Sequence, residues 1–366
     1  MSNAPVERAA PQYRQWTMKG FLDEFVRIHH QMPQRAFAFI LGAGASRSSG
    51  IPTGAELVDF WLEDIFDRNH KDDHYTIENW LKKNLNIDGF EYSRRDEYYP
   101  DVYKRRFRTD PASGQAYLED IMQRAEPAFG YTILARLLTE TRHNAVITTN
   151  FDNLVADAIF IYTDVYPLVC GHELLANFVR IPIKRPLIAK IHRDLLYDPH
   201  NSRDDVEQLS SAWKETIDRL FQHYTPVFIG YGGNDGSLMS FLENIKPNYL
   251  PGGIYWCHAV EGRPKERIEK ILEIHNGVLV RIPDFDELMF RLSERIGVDL
   301  LTIRAIKNKA DKRYEGYLRH ILRMTEKIST KNNISLSIPN IVNSEDFIGD
   351  DRRMIFEKIL EGLSDK

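Results

Sequence analysis

AFAFILGAGASRSSGIPT, residues 36–53, is the stretch from which the rest of the chain is read. Its first six residues, Ala36 to Leu41, form an apolar run with the length of a buried strand. The run stops at Gly42-Ala43-Gly44-Ala45-Ser46, where the spacing predicts a Gly-rich turn and a helix start. A strand, such a turn and a helix N-terminus together make a phosphate cradle. Glycines admit the backbone to a pyrophosphate, and the free N–H groups of the first helical turn face its charge. Gly-Ala-Gly alone serves equally well as an ordinary tight strand–helix turn. The residues just beyond it strengthen the ligand reading. Ser49-Gly50-Ile51-Pro52-Thr53 is a second turn, and Thr53 with Glu56 has the spacing of a capping box for a further helix.

Bulk properties narrow the class. The chain has 366 residues, 43% of them hydrophobic and 28% charged, the composition of a globular protein with one large or two ordinary domains. A net charge of −5 gives no global pull toward nucleic acid or an anionic membrane. The two cysteines, Cys170 and Cys257, are far apart and form no CxxC pair. This excludes a cysteine-built zinc site and fits a reducing, cytoplasmic setting. Residues 1–16 are polar, without the apolar segment of a signal peptide, and no apolar run reaches the length of a membrane span.

Outward from the glycine turn, residues 1–16 read as a loose arm and residues 18–31 as an amphipathic helix with Phe21, Phe25 and Ile28 on one face. A helix from Thr53 to about Arg68 aligns Leu57, Val58, Trp61, Leu62 and Ile65. Residues 70–128 read as a helical insertion, with helices over Ile77–Leu85 and Gln115–Arg124. Between them, Tyr92–Arg108 interleaves Arg94, Arg95, Lys104, Arg105, Arg106 and Arg108 with Tyr98, Tyr99, Tyr103 and Phe107. That pattern suits nucleic acid, but equally a solvated face or a subunit contact, and in an acidic chain direct nucleic-acid binding is not the expectation. A helix is predicted over Tyr131–Thr141, then strands at Ala145–Thr149, Leu187–Ile191, Pro226–Tyr231, Ile254–Ala259 and Val278–Ile282. Helices are expected at Val206–Phe221, with Val206 and Leu209 on its inner face, from Leu238, and at Asp284–Ile296. Strands alternating with helices predict a doubly wound, mostly parallel, Rossmann-like α/β sheet. The expected organisation is a catalytic domain over 1–300 and a C-terminal helical appendage over 301–366.

Four polar clusters fall where apolar strands end, the place where open α/β sheets bind ligands. They are Gly42–Ser46, Thr148–Asp152, His192–Asp194 and Gly230–Asp235. In sequence they read GAGAS with SGIPT, TTNFD, KIH, and GYGGND, and in that order they resemble the sirtuin family of NAD-consuming proteins. The resemblance implies that Gly42, Ala43, Gly44 and Ser46 line the pyrophosphate and nearby ribose. It places Asn150 and Asp152, with Thr149 beside them, under the nicotinamide ribose, and makes His192 the general base. Gly230, Tyr231, Asn234 and Asp235 would meet the adenosine side. The chemistry is coherent. Cleaving the nicotinamide–ribose bond builds an oxocarbenium-like sugar, an Asn orients ribose and water, and a His takes a proton near neutral pH without a metal.

Departures from the family pattern narrow the resemblance. Thr53-Gly54-Ala55 stands where the deacylases carry Asp-Phe-Arg, Thr149 replaces their Gln, and no zinc ribbon can be built. GIPTG and TTNFD are similar to the bacterial antiphage branch, whose members deplete NAD. That branch implies homo-oligomers and, with no sensor domain fused, a separate partner such as a HerA-type ring ATPase or a prokaryotic Argonaute; the length and helical tail best fit the ATPase-partnered type. Arg193, where the family has Gly after its histidine, has three readings, crowding the site, pairing with Asp194 or Asp152, or contacting phosphate, and weak activity of the isolated protein that depends on assembly contacts is the expectation. Three rival readings remain at this level: an NAD or ADP-ribose sensor without turnover, an oxidoreductase, and a nucleic-acid-associated protein. The oxidoreductase lacks an acidic ribose partner about twenty residues past the Gly-rich turn.

Overall fold

The computed structural model describes residues 12–70, 76–192, 209–247, 249–259 and 263–298, with isolated positions between 311 and 320. The chain divides into two units, Met1–Leu301 and Thr302–Lys366. The appendage expected over 301–366 lies almost wholly outside the described residues.

The first unit is built on one eight-stranded sheet. In chain order its elements begin with β1 (Arg14–Thr17), α1 (Met18–Gln31), β2 (Ala36–Leu41), α2 (Gly54–Asn69), α3 (Ile77–Asn84), α4 (Tyr99–Arg106), α5 (Pro111–Gln123) and α6 (Phe129–Glu140). Next come β3 (Ala145–Thr148), α7 (Leu154–Tyr162), β4 (Leu168–Cys170), α8 (Glu173–Ala176), β5 (Leu187–Lys190), α9 (Ser211–His223) and β6 (Tyr224–Ile229). The unit closes with α10 (Gly236–Asn244), β7 (Tyr255–His258), α11 (Glu266–Ile274), β8 (Val278–Arg281) and α12 (Phe285–Ile296).

The strand order is β1-β8-β7-β6-β2-β3-β5-β4, and every neighbouring pair is parallel. This is the doubly wound sheet the alternation predicts. From β2 the chain steps outward to β3 and the edge strand β4, fills the gap between them with β5, then returns to β6 and winds the other way. The topological switch point therefore lies between β2 and β6, where a crevice opens outside the carboxyl ends.

All six residues of β2 are buried, as a central parallel strand requires. Phe37, Phe39 and Leu41 join the core under α1, α6 and α12. Ala36, Ala38 and Ile40 join the opposite core with Trp213, Ile217, Phe228 and Trp256. The small alanines leave room on that face for the two indoles.

A third core explains the insertion. Leu57, Val58, Trp61, Leu62 and Ile65, the stripe read from sequence, pack against Leu81, Val102, Phe107 and Leu118. Trp61 is ringed by Tyr99, Tyr103, Phe107 and Tyr117. The basic and aromatic run of 92–108 is thereby resolved into two roles. Its rings fill this core, while Arg94 pairs with Glu97, Arg95 with Asp59 and Arg106 with Asp64. Phe151, inside the TTNFD segment, packs on the same cluster, so the insertion reaches the carboxyl edge of the sheet.

The sequence reading needs four corrections. Arg14–Thr17 is an edge strand paired with β8, not part of a loose arm, and Trp16 packs on Tyr255. The helix start expected after Leu41 is two short 3-10 turns, Ala43–Ala45 and Arg47–Ser49. The α-helix waits for the Thr53–Glu56 capping box, where both reciprocal bonds form. Strand β4 has no counterpart in the sequence pattern, because three residues beside Pro167 carry too little signal. Helix α9 begins only at Ser211, capped by Ser210. Leu209 is buried but precedes it, and Val206 lies outside the described residues.

Candidate functional site

The loops after β2 and β6 meet backbone to backbone at the switch point. Gly42 N donates to Ile229 O at 3.1 Å and Gly44 N to Gly230 O at 2.9 Å. A Cβ on Gly42 would lie 2.6 Å from Gly230 O, and one on Gly230 would lie 2.2 Å from Ala45 N. Gly230 also has a φ of 65°, a conformation that disfavours any side chain. The interlocking of the two loops is thus a sufficient reason for all three glycines. Ala43 opens the first 3-10 turn, half-buried.

Ser46 is completely buried at the end of this turn. Its hydroxyl lies 2.8 Å from Asp152 Oδ2, 3.0 Å from Asn150 Nδ2 and 2.8 Å from the Tyr131 hydroxyl. The bonding pattern is determined by inventory. The Ser46 proton goes to the carboxylate, so Asn150 and Tyr131 must both donate to Ser46. With one proton given and two accepted, Ser46 has no capacity left for a ribose. Its hydroxyl is committed to Asp152, Asn150 and Tyr131. Burial holds the Tyr131 phenol well above its usual pKa, which keeps it a donor. Burial also raises the Asp152 carboxyl, opposed by the Ser46 hydrogen bond, the Leu154 N–H and the charge of Lys190. Thr149 sits half-buried beside them, its N–H bonded to Leu41 O at 3.2 Å. Asn150 does not cap α7; Asn153 stands at that position.

A second cluster joins the residues after β5 to the loop after β6. His192 follows β5 and is buried, with Nε2 3.0 Å from Ser237 Oγ. Ser237 donates to Asp235 Oδ1 at 3.1 Å, Leu238 N donates to the same oxygen at 2.8 Å, and the Tyr231 hydroxyl donates to Asp235 Oδ2. Because Ser237 gives its proton to Asp235, it must accept from His192. Nε2 therefore carries the hydrogen and the ring lone pair lies on Nδ1. β5 and β6 are not neighbours, since β3 and β2 stand between them. Three strand spacings of roughly 4.8 Å separate them, so the His192–Ser237 bond spans the carboxyl ends of both central strands.

Of the residues expected at the site, Asn150 and Asp152 share one cluster, and His192, Tyr231 and Asp235 the other. Asn234 stands apart. It is exposed, its Oδ1 accepts from Lys265 Nζ at 2.5 Å, and its Nδ2 approaches Asp96 Oδ2 at 3.4 Å. Lys265 also pairs with Asp96 at 2.6 Å, which ties the insertion to the loop after β6. Asp194 and Arg193, with the crowding expected of it, lie outside the described residues. Ser237, Tyr131 and Lys190 escape sequence reasoning as site residues. Ser237 sits in the first turn of an N-capped helix, and Tyr131 reads as ordinary helix core. Lys190 is legible only as the K of KIH. Both cysteines are buried and free, and burial pushes the Cys170 thiol up to about 11 and the Cys257 thiol higher still, so neither is a nucleophile at neutral pH. Among the described residues, no helix is long and apolar enough to cross a membrane.

Residues 144–278 match the family described as "SIR2-like domain". The matched segment carries Asn150, Asp152, His192 and the loop after β6, while the Gly42–Ser46 turn lies before it. Among solved structures, a mutant Sir2 homologue in complex with 2'-O-acetyl ADP ribose is 14% identical, with a TM-score of 0.42 over 78% of this chain and 98% of that chain. A Sir2 homologue–NAD complex is also 14% identical, with a TM-score of 0.37 over the same shares. No curated protein sequence matches.

Proposed function

We propose that this protein is an NAD glycohydrolase that cleaves NAD to nicotinamide and ADP-ribose. The observation that carries the reading is the chain of bonds from His192 through Ser237 to Asp235 at the carboxyl ends of the sheet, where Asn150, Ser46 and Asp152 form a second buried cluster. Loss of nicotinamide leaves an oxocarbenium-like ribose, which an anionic carboxylate stabilises. Asp152 supplies that charge, with Ser46 holding one of its oxygens. Asn150 orients the ribose and the attacking water. His192, fixed as the Nε2–H tautomer, takes the proton of a ribose hydroxyl or water at Nδ1. The Asp235 carboxylate stabilises the imidazolium through Ser237. Gly42, Ala43 and Gly44 receive the pyrophosphate, and Gly230 lies toward the adenosine side. Asn234 faces the adenosine side, and the Tyr231 hydroxyl holds the second oxygen of Asp235. No step needs a metal.

The test is NAD consumption by wild type, Asn150→Ala and His192→Ala, with nicotinamide and ADP-ribose both followed. Loss of turnover in both variants with folding retained is expected. Retention of NAD without products by wild type would favour a sensor, and unchanged turnover in either variant would remove that residue from the mechanism.

The motif departures support a wider reading. We infer a cytoplasmic role in antiphage defence by NAD depletion, in a homo-oligomer controlled by a HerA-type ring ATPase. Co-expression with such an ATPase, with co-purification and NAD both measured, tests it. Absence of both association and stimulation would overturn it.

A further inference from the structure

Lys190 ends β5 and is 1% exposed. A buried ammonium costs several kcal/mol unless its protons are bonded and its charge is opposed. An apolar side chain would fill the same space without that cost. The surroundings show what the charge does. Nζ donates to Phe151 O at 2.7 Å and to Asn153 Oδ1 at 2.9 Å, the two residues flanking Asp152. Next to it is a cavity of about 10 Å³, lined by Lys190, Asp152, Thr148, Tyr131 and Asn153 among others.

We propose that Lys190 is a positioning residue that pins the Asn150–Asn153 loop from the neighbouring strand and keeps the Asp152 carboxylate anionic. The charged and titratable groups around Asp152 come from several elements. Lys190 lies on β5, Tyr131 on α6 and Asp157 on α7. Burial raises Asp152, and Lys190 is the cation that opposes it. Asp157, which feels the negative charge of Asp152 and the positive charge of Lys190, cannot take over that task. The consequence for turnover rests on the NAD reading above, but the effect on Asp152 does not.

The test uses the full chain and Lys190→Met, Lys190→Gln and Lys190→Arg. Infrared titration tracks the protonated-carboxyl band of Asp152, assigned by its disappearance in Asp152→Asn. Lys190→Met should move the protonation midpoint upward by about one to three pH units. Lys190→Gln, which keeps an amide donor but no charge, should shift it the same way, and Lys190→Arg should leave it near wild type. NAD turnover at neutral pH should fall on the order of 100-fold in Lys190→Met, its acid limb moving up with the infrared midpoint. Recovery in Lys190→Arg is expected. An unmoved midpoint in a folded Lys190→Met or Lys190→Gln protein would overturn the proposal. A shifted midpoint in a protein that cleaves no NAD, alone or co-expressed with a HerA-type ATPase, would uphold the Lys190 role and reject the NAD reading.

Discussion

At the amino edge of the sheet, His143 is completely buried beside β2 and β3; at the carboxyl edge, His192 is almost as buried after β5. The Nδ1 of His143 accepts from the Phe37 backbone N–H at 3.0 Å, and its Nε2 lies 3.1 Å from His29 Nδ1. Beside it, Arg142 donates to the carbonyls of Ile28, His29, Met32 and Arg35, closing the C-terminus of α1. These polar groups of the amino edge are bound to backbone or to another structural side chain. On the carboxyl edge, Ser46 binds Asn150 and Asp152 between the adjacent β2 and β3, and His192 binds Ser237 between the non-adjacent β5 and β6. Satisfying a helix end needs only local partners, whereas a network bridging β5 to β6 has no role in holding either strand. The contrast sets a histidine bound to the backbone of the fold against the one proposed as the general base.

The strongest way to break this contrast is to replace each histidine. His192→Gln should lower NAD turnover by about 10²–10⁴-fold while the denaturation midpoint holds, whereas His143→Asn should lower stability and leave the turnover of folded protein near wild type. Equal turnover losses in the two variants would erase the distinction.

Gly230→Ala probes the loop contact on which the carboxyl edge depends. The added methyl meets Ala45 N at a left-handed backbone position. A stability loss of about 2–4 kcal/mol in denaturant unfolding is expected, and a neutral result would mean that the two loops are not in contact.

The amino edge should also give the molecule an acid sensitivity. Burial lowers the His143 pKa from 6.5 to about 3. Protonation would set an N–H against the Phe37 N–H. The unfolded chain binds this proton below pH about 6.5 and the folded chain does not, so the contribution is intact above that value and is lost as pH falls toward 3. Between neutral pH and about pH 4.5 the loss is about 2–3 kcal/mol. Denaturant midpoints across that range should fall in wild type and fall less in His143→Asn.

The smallest effect concerns the tie between the insertion and the site. Lys265→Ala removes the partner of Asp96 and Asn234, a half-exposed contact worth about 0–1 kcal/mol. Melting should barely change, while the affinity for NAD should respond if the loop after β6 holds the adenosine side. Unchanged affinity would detach Asn234 from the ligand.

Much of the molecule is legible in its sequence. The β2 run, the Thr53–Glu56 box and the α2 stripe are local patterns, and local patterns survive folding. Asn150, Asp152 and His192 are visible because polar residues end apolar strands. The roles of Ser46 and the glycines are not, since a proton inventory requires knowing which hydroxyls meet. Edge strands β1 and β4 escape notice because a partner strand, rather than their own composition, holds them extended.

By itself the sequence determined the alternation of strands and helices, and hence a parallel sheet with its polar residues gathered at the carboxyl ends. Tertiary structure alone decided that the loops after β2 and β6 interlock, that Ser46 spends all its bonds behind Asn150 and Asp152, and that His192 reaches Ser237 across two intervening strands. The reason is physical. Periodicity is written along the chain, but strand order, proton direction and the electrostatic neighbours of a buried carboxylate exist only once distant segments are packed together.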